Sequence, residues 1–151
     1  MKFYTILHMA PPKSTAQEKG VRVIDGIPRF YEKKTVKEAH NLYISSLIAA
    51  KKSIEARTNT TIYFPKNTPV ELVVRFVYPA RRKADISLWK TTRPDTDNLV
   101  KLLKDCMTEL NFWDDDSQVC REVVEKKYAV VEKDPCIEIL ADSLMDFGGR
   151  L

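Results

Sequence analysis

The sequence predicts an α+β layer sandwich in which two helices pack on one face of a mixed β-sheet. Two segments, 35–57 and 98–110, carry apolar residues at helical spacing, and a strongly alternating segment, 70–78, lies between them. Segments rich in β-branched residues stand at both ends of the chain, so helices and strands are interspersed. The 151 residues are 44% hydrophobic and 30% charged, which predicts one domain over residues 1–142 and a patternless, mobile tail at 143–151.

The first elements are a strand and a hairpin. Residues 3–9 predict a strand that ends before Pro11 and Pro12, which interrupt a ladder. Residues 21–24 and 27–31 flank Asp25-Gly26, a pair that readily supplies the positive φ angles of a tight hairpin turn.

The predicted hairpin mixes cations with aromatic rings. Arg22, Arg29 and Lys33 stand beside Phe30 and Tyr31, a combination that suits phosphates and unstacked bases. We interpret the three cations as DNA-binding residues. A solvated hairpin with packed aromatics is the alternative.

A long amphipathic helix and a central strand follow. Residues 35–57 place an apolar stripe on one helix face, beside which His40 is more typical of a packed or half-exposed histidine than of a ligand. Residues 70–78 alternate, and because Val73 and Val77 make the outer face partly apolar, we expect this strand to be central. Residues 119–131 and 136–140 are predicted to form a closing hairpin.

Acidic residues crowd both ends of the second helix. Asp95 and Asp97 stand at its N-terminus, with Asp97 the expected cap, and the run 114–116 follows its C-terminus. Either group has an ordinary explanation, since Asp is a common cap and a common turn residue. Two carboxylates at alternate positions exceed what a cap requires, however, and resemble half of a site for a hard divalent cation.

The ordered pattern joins Asp95-x-Asp97-Asn98-Leu99-x-Lys101, a helix, and then Phe112-Trp113-x-Asp115-Asp116-Ser117-Gln118. It resembles the signature of the RusA family of Holliday junction resolvases. The resemblance implies that Asp95, Asp97 and Asp116 are catalytic metal ligands and that Lys101 is also essential. It leaves Asp115 a less certain participant and gives Asp114 no role.

The resemblance also implies an activity and partners. We expect a Mg²⁺-dependent (or Mn²⁺-dependent) endodeoxyribonuclease that resolves four-way DNA junctions by paired symmetric nicks in recombination and repair. Resolution needs two symmetric nicks, which a C₂ homodimer provides by geometry, so we expect a homodimer. A junction-binding module with little catalysis, a small metal-dependent phosphatase and a regulatory metal-binding protein are the alternatives.

A basic tripeptide, Arg81-Arg82-Lys83, stands shortly before the acidic motif. Such a run is usually solvated, but beside a set of metal-binding carboxylates it is suited to hold the DNA backbone. We interpret these three residues as DNA-binding too.

Other site types fail on composition and motifs. An EF-hand would need an acidic or amide residue at position 99 and Gly at position 100, where this chain has Leu99 and Val100. The chain has too few Gly for a Rossmann or P-loop motif and too few His and Cys for a zinc site. The net charge of +4 favours a polyanionic partner only weakly. Three widely spaced cysteines predict reduced, mostly buried thiols in a cytoplasmic protein, and no segment predicts export or a membrane span.

Overall fold

The computed structural model describes residues 1–13, 19–80, 88–130 and 133–144, with Glu32 described by its backbone alone. The basic run 81–83 and the end of the tail, 145–151, lie outside the described residues. No helix in the described ranges combines the length and apolar character of a membrane span. In chain order the elements are β1 (Lys2–Leu7), β2 (Lys19–Ile24), β3 (Ile27–Glu32), α1 (Lys34–Thr58), β4 (Val70–Tyr78), α2 (Thr96–Glu109), a short 3₁₀ turn (Asp116–Gln118), β5 (Val119–Tyr128) and β6 (Cys136–Ser143).

Four strands form a mixed sheet in the order β1-β6-β4-β5, and β2 and β3 form a separate hairpin. Strands β4 and β5 are parallel, whereas β6 is antiparallel to both β4 and β1. The mixed sheet with two helices confirms the predicted α+β class. The predicted closing hairpin of the last two strands is wrong, because β4 lies between β5 and β6 and pairs with both.

Strand β4 is central in the sheet and carries apolar residues along the whole of one face. Val70, Leu72, Val74 and Phe76 are fully buried beneath the helices. On the face of the sheet away from the helices, ion pairs join three neighbouring strands. Arg75 of β4 donates to Glu125 of β5 and to Glu138 of β6, both at 2.5 Å. The guanidinium lowers the pKa of Glu125.

Helix α1 confirms the predicted stripe. Its fully or nearly buried residues are Val36, Ala39, Tyr43 and Leu47, and Asn59 ends it in the left-handed conformation with φ 51°. His40 is half-exposed, and its Nε2 lies 2.8 Å from Glu109 Oε2 at the end of α2. The histidine therefore links the two helices, in agreement with its predicted structural role.

Helix α2 begins two residues earlier than the sequence predicts. Asp95, not Asp97, occupies the cap position, with extended φ and ψ of −76° and 151°, and Asp97 lies in the first helical turn. At the other end, Lys51 of α1 donates to the carbonyls of Leu110 and Asn111 at 3.0 and 2.9 Å. A cation on these last carbonyls also complements the negative end of the helix dipole.

The hairpin β2–β3 forms as predicted. Asp25 and Gly26 have φ of 51° and 76°, which are the two positive angles of a type I′ turn. The cysteines are all unpaired. Cys106 is buried, Cys136 is partly buried and Cys120 is exposed, which agrees with the prediction of mostly buried thiols.

Candidate active site

The N-terminus of α2 presents two carboxylates that have no structural task. Asp95 occupies the cap position, yet its side chain accepts no helix N–H. Both Asp95 and Asp97 are exposed, and neither carboxylate takes part in a hydrogen bond or ion pair with any residue that the structure describes. The capping explanation for Asp95 therefore fails on geometry. The positive end of the helix dipole nevertheless stabilises both charges.

Two lysines hold the backbone that leads into this helix end. Lys126 of β5 donates to the carbonyls of Thr92 and Pro94, at 2.9 and 2.7 Å. Lys90 donates to the hydroxyl of Thr92 and, at 2.7 Å, to the carbonyl of Arg93. Since Asp95 follows Pro94 directly, these bonds tie the position of its carboxylate to the edge strand of the sheet.

Two further polar groups of α2 lie near these carboxylates. Lys101 is one turn beyond Asp97 and therefore shares its helix face. Its Nζ is 3.7 Å from Asp105 Oδ1, and both side chains are about half-exposed, so the ion pair is loose and contributes little. Asn98 is half-buried, and its Oδ1 is a buried acceptor that has no hydrogen-bond partner among the described residues.

The aromatic pair before the acidic turn anchors that turn to the core. Phe112 and Trp113 are fully buried, and the carbonyl of Phe112 accepts from the N–H of Phe64 at 2.7 Å. The indole N–H of Trp113 donates to Thr108 of α2 at 2.7 Å. Gln118 closes the turn, since its side chain donates to the carbonyl of Pro65 at 2.9 Å.

The three consecutive aspartates of this turn have different tasks. Asp114 accepts from the Tyr63 hydroxyl at 2.6 Å, and this bond raises the pKa of Tyr63. Asp115 accepts from the N–H of Ser117 at 2.8 Å, which caps the short turn. The side chain of Ser117, and then this backbone N–H, lower the pKa of Asp115. Asp116 is half-exposed, and its carboxylate has no hydrogen-bond or ion-pair partner in the described part of the chain.

The two groups of unpartnered carboxylates lie at opposite ends of one helix. Asp95 and Asp116 are separated by α2, whose 14 residues span about 21 Å at 1.5 Å per residue. Strand β5 also separates the two groups. Pro94, directly before Asp95, accepts from Lys126 near the end of that strand, whereas Asp116 lies just before its first residue. In keeping with this, the described residues of one chain contain no group of three or more acidic, His or Cys side chains able to hold a metal ion.

The sequence of the chain matches the family described as Endodeoxyribonuclease RusA over residues 10–140. The chain belongs to the RusA family. This confirms the resemblance, and the match covers most of the fold, from the end of β1 into β6.

A curated relative agrees with the family match. The chain is 34% identical over 119 residues to the "Crossover junction endodeoxyribonuclease rusA" of Lactococcus phage r1t, which covers 79% of this chain and 83% of the relative. The chain is therefore an endodeoxyribonuclease of the RusA family.

For a RusA-family member, the structure places the predicted residues in three regions. Asp95, Asp97 and Lys101 lie together at the start of α2, Asp116 lies beyond its far end, and Arg22 and Arg29 lie on the detached hairpin. Lys33 occupies the cap position of α1. Arg81, Arg82 and Lys83 fall outside the described residues.

Sequence reasoning missed the residues that support this site. Lys126 and Tyr63 act through contacts with distant parts of the chain. Lys90 acts through its near neighbours Thr92 and Arg93, but no local pattern distinguishes it from other lysines. Gln118 was visible as part of the motif, but its donation to Pro65 was not.

Proposed function

We propose that this protein is a divalent-metal-dependent endodeoxyribonuclease that acts as a homodimer and resolves four-way DNA junctions by paired nicks. Its relative is named for crossover junctions, which supports the substrate. The observation that carries the proposal is that some of the aspartates have hydrogen-bond partners and others have none. Asp114 and Asp115 have structural partners, whereas the carboxylates of Asp95, Asp97 and Asp116 have none among the described residues.

Two exposed carboxylates and one half-exposed carboxylate, none with an ion pair among the described residues, fit a hard divalent cation, which prefers a few carboxylate oxygens together with water. We infer that Asp95, Asp97 and Asp116 hold Mg²⁺ or Mn²⁺. When bound, such an ion lowers the pKa of water and neutralises charge on the phosphate. Lys101, one turn from Asp97, is placed to bind a non-bridging oxygen of the scissile phosphate after it leaves its loose pair with Asp105.

The separation of the carboxylates supports a site shared between two copies. About 21 Å of helix lies between Asp95 and Asp116 within one chain, so these two side chains do not meet on a single metal there. In a C₂ dimer, the start of α2 of one copy can face the acidic turn of the other, and symmetry then creates two equivalent sites. Two sites related by a two-fold axis match the two symmetric cuts that resolution of a junction needs.

Basic groups outside the acidic site supply the DNA affinity in this proposal. Arg22, Arg29 and Lys33 at the hairpin, and the run 81–83, would contact phosphates. The unpaired thiols of Cys106, Cys120 and Cys136 are consistent with a reducing compartment, and we propose that the enzyme acts in the cytoplasm.

The test uses a labelled four-way junction with and without Mg²⁺. Wild-type protein should produce paired nicks only with the metal. Asp95→Asn, Asp97→Asn and Asp116→Asn should be folded and inactive, and they should bind the junction in Ca²⁺ as well as wild-type protein does or better, because each removes a charge that repels phosphate.

Asp114→Asn and Asp115→Asn are matched controls at the same turn, and we expect them to lower stability more than cleavage. Junctions that are bound but remain uncut under every metal condition would favour the binding-module alternative. Loss of stability with cleavage preserved in the Asp95, Asp97 and Asp116 variants would refute the site assignment.

A further inference from the structure

The hairpin β2–β3 projects from the body of the protein with its apolar side uncovered. Every residue from Val21 to Tyr31 is exposed, and the hairpin makes no substantial contact with the described helices or the main sheet. A two-stranded hairpin without such support is only marginally stable in water. Among the described residues nothing covers its surface, which is therefore open to a partner.

The strand register sorts the side chains onto two faces. Val21 is opposite Phe30, and Val23 is opposite Pro28, so these four residues share one face. That face is apolar and solvent-exposed, with Phe30 71% and Val23 66% exposed. Exposed apolar clusters of this kind mark interaction sites.

The other face carries Arg22, Arg29 and Tyr31, with Ile24 and Ile27 beside the turn. Arg22 is directly opposite Arg29, and neither forms an ion pair with a described residue. Like charges at directly opposite positions destabilise a hairpin, so the arrangement favours an anionic ligand between them. Arg22 lies 5.8 Å from the centroid of the Tyr31 ring, and this ring covers Gly20, where a Cβ would lie only 2.3 Å from it.

We propose that this hairpin enters the branch point of the junction, where Phe30 stacks on an exposed base and Arg22 and Arg29 bind the flanking phosphates. The inference rests on the proposed function and deepens it. Linear duplex hides the faces of its bases in the stack, whereas a branch point exposes them where the arms diverge. Aromatic and apolar side chains inserted at such steps are a common means of holding distorted DNA.

Charge complementarity decides between DNA and a second copy of the chain as the occupant. The apolar face alone would suit either one. The unneutralised arginine pair on the same thin element suits a polyanion, and a second copy would bring a further net charge of +4. The hairpin would thereby make the protein prefer junctions over linear duplex, because only DNA with exposed bases can contact both the apolar face and the arginine face of the hairpin.

The experiment compares binding of a four-way junction and of linear duplex, in Ca²⁺, by full-length variants. Phe30→Ala should weaken junction binding by about five- to a hundredfold, the range expected for loss of one base–aromatic stack, and should leave duplex binding unchanged. Phe30→Trp should retain the selectivity. Leu42→Ala is the matched control, because Leu42 is a similarly exposed apolar residue on α1 and should change neither affinity.

Two further measurements complete the test. A 2-aminopurine placed at the branch point should change fluorescence on binding of wild-type protein, and Phe30→Ala should abolish that change. Arg22→Gln and Arg29→Gln should weaken binding to both DNAs and should each reduce the log–log salt dependence by about one unit.

Phe30 is solvent-exposed, so its truncation should not impair folding, and the melting temperature checks this. Equal losses on junction and duplex, or no loss on either, would overturn the proposal. Dissociation of the Phe30→Ala variant into monomers would overturn it as well, by assigning the apolar face to contact between copies. Absence of junction cleavage by wild-type protein would instead refute the proposed function.

Discussion

Mixing two inactive variants tests whether the active site is shared between copies. If one site combines Asp95 and Asp97 of one copy with Asp116 of the other, a mixed dimer of Asp95→Asn and Asp116→Asn chains has one doubly altered site and one intact site. The expectation follows from the structure, because about 21 Å of helix α2 lies between Asp95 and Asp116 within a chain.

The size of the effect follows from counting sites. After equal mixing and subunit exchange, about half of the dimers are mixed and half of the sites in them are intact, so nicking should return to about a quarter of the wild-type rate. Each mixed dimer has a single working site, so its product should be a singly nicked junction in place of paired cuts.

The assay is gel analysis of a junction labelled on each strand in turn, with native mass spectrometry to confirm mixed dimers. The matched control mixes Asp95→Asn with Asp97→Asn, whose two lesions affect the same half of each site, and this mixture should stay inactive. Mixed dimers of Asp95→Asn and Asp116→Asn that remain inactive would refute a shared site. Equal recovery in the control mixture would refute the division of the carboxylates.

Three other predictions concern the supporting residues. Lys126→Met removes both hydrogen bonds to the loop before the acidic motif. It should lower the free energy of unfolding, measured by denaturation, by about 1–3 kcal/mol, and it should reduce cleavage in the junction assay. Lys127→Met, on the opposite face of the sheet, is the control, and an equal effect there would contradict this prediction. The pKa of Asp115 is lowered in the folded protein by hydrogen bonding to Ser117, first to its side chain and then to its backbone N–H. The stabilising contribution of Asp115 is therefore present above the ordinary carboxyl pKa and is lost as pH falls through the folded pKa. The Asp115→Asn variant should therefore show a smaller drop in melting temperature than wild type between about pH 5 and pH 3, and identical slopes would argue against the bond. Burial raises the pKa of Cys106 to about 12, so iodoacetamide at pH 8 should modify the exposed Cys120 first, as followed by peptide mass spectrometry; equally rapid labelling of Cys106 would contradict its burial.

The sequence by itself determined the elements whose pattern is local. The strand 70–78 was predicted at its observed bounds, because side chains that alternate in a half-buried strand leave a period of two in the sequence. The Asp25-Gly26 turn was also predicted correctly, because few residue pairs tolerate two positive φ angles. The family, and with it the motif residues Asp95, Asp97, Lys101 and Asp116, was also readable from the sequence.

Only the tertiary structure decided how strands pair. The segments 119–131 and 136–140 have strand composition and are close in sequence, which favours a hairpin. Val70 to Tyr78 lies between them in the sheet instead, where its backbone N–H and C=O groups are paired on both edges. Composition does not record this competition among strands.

The tertiary structure also decided which carboxylates are free. Asp114, Asp115 and Asp116 are identical in chemistry and adjacent in sequence, and they differ only in what the fold brings to them. Tyr63 reaches Asp114 from 51 positions away, whereas the N–H of Ser117 reaches Asp115 within the turn itself. Asp116 receives no such donor from the described residues, and a rigid helix holds it apart from Asp95, because the length of α2 is fixed by its hydrogen bonds and not by the needs of the site.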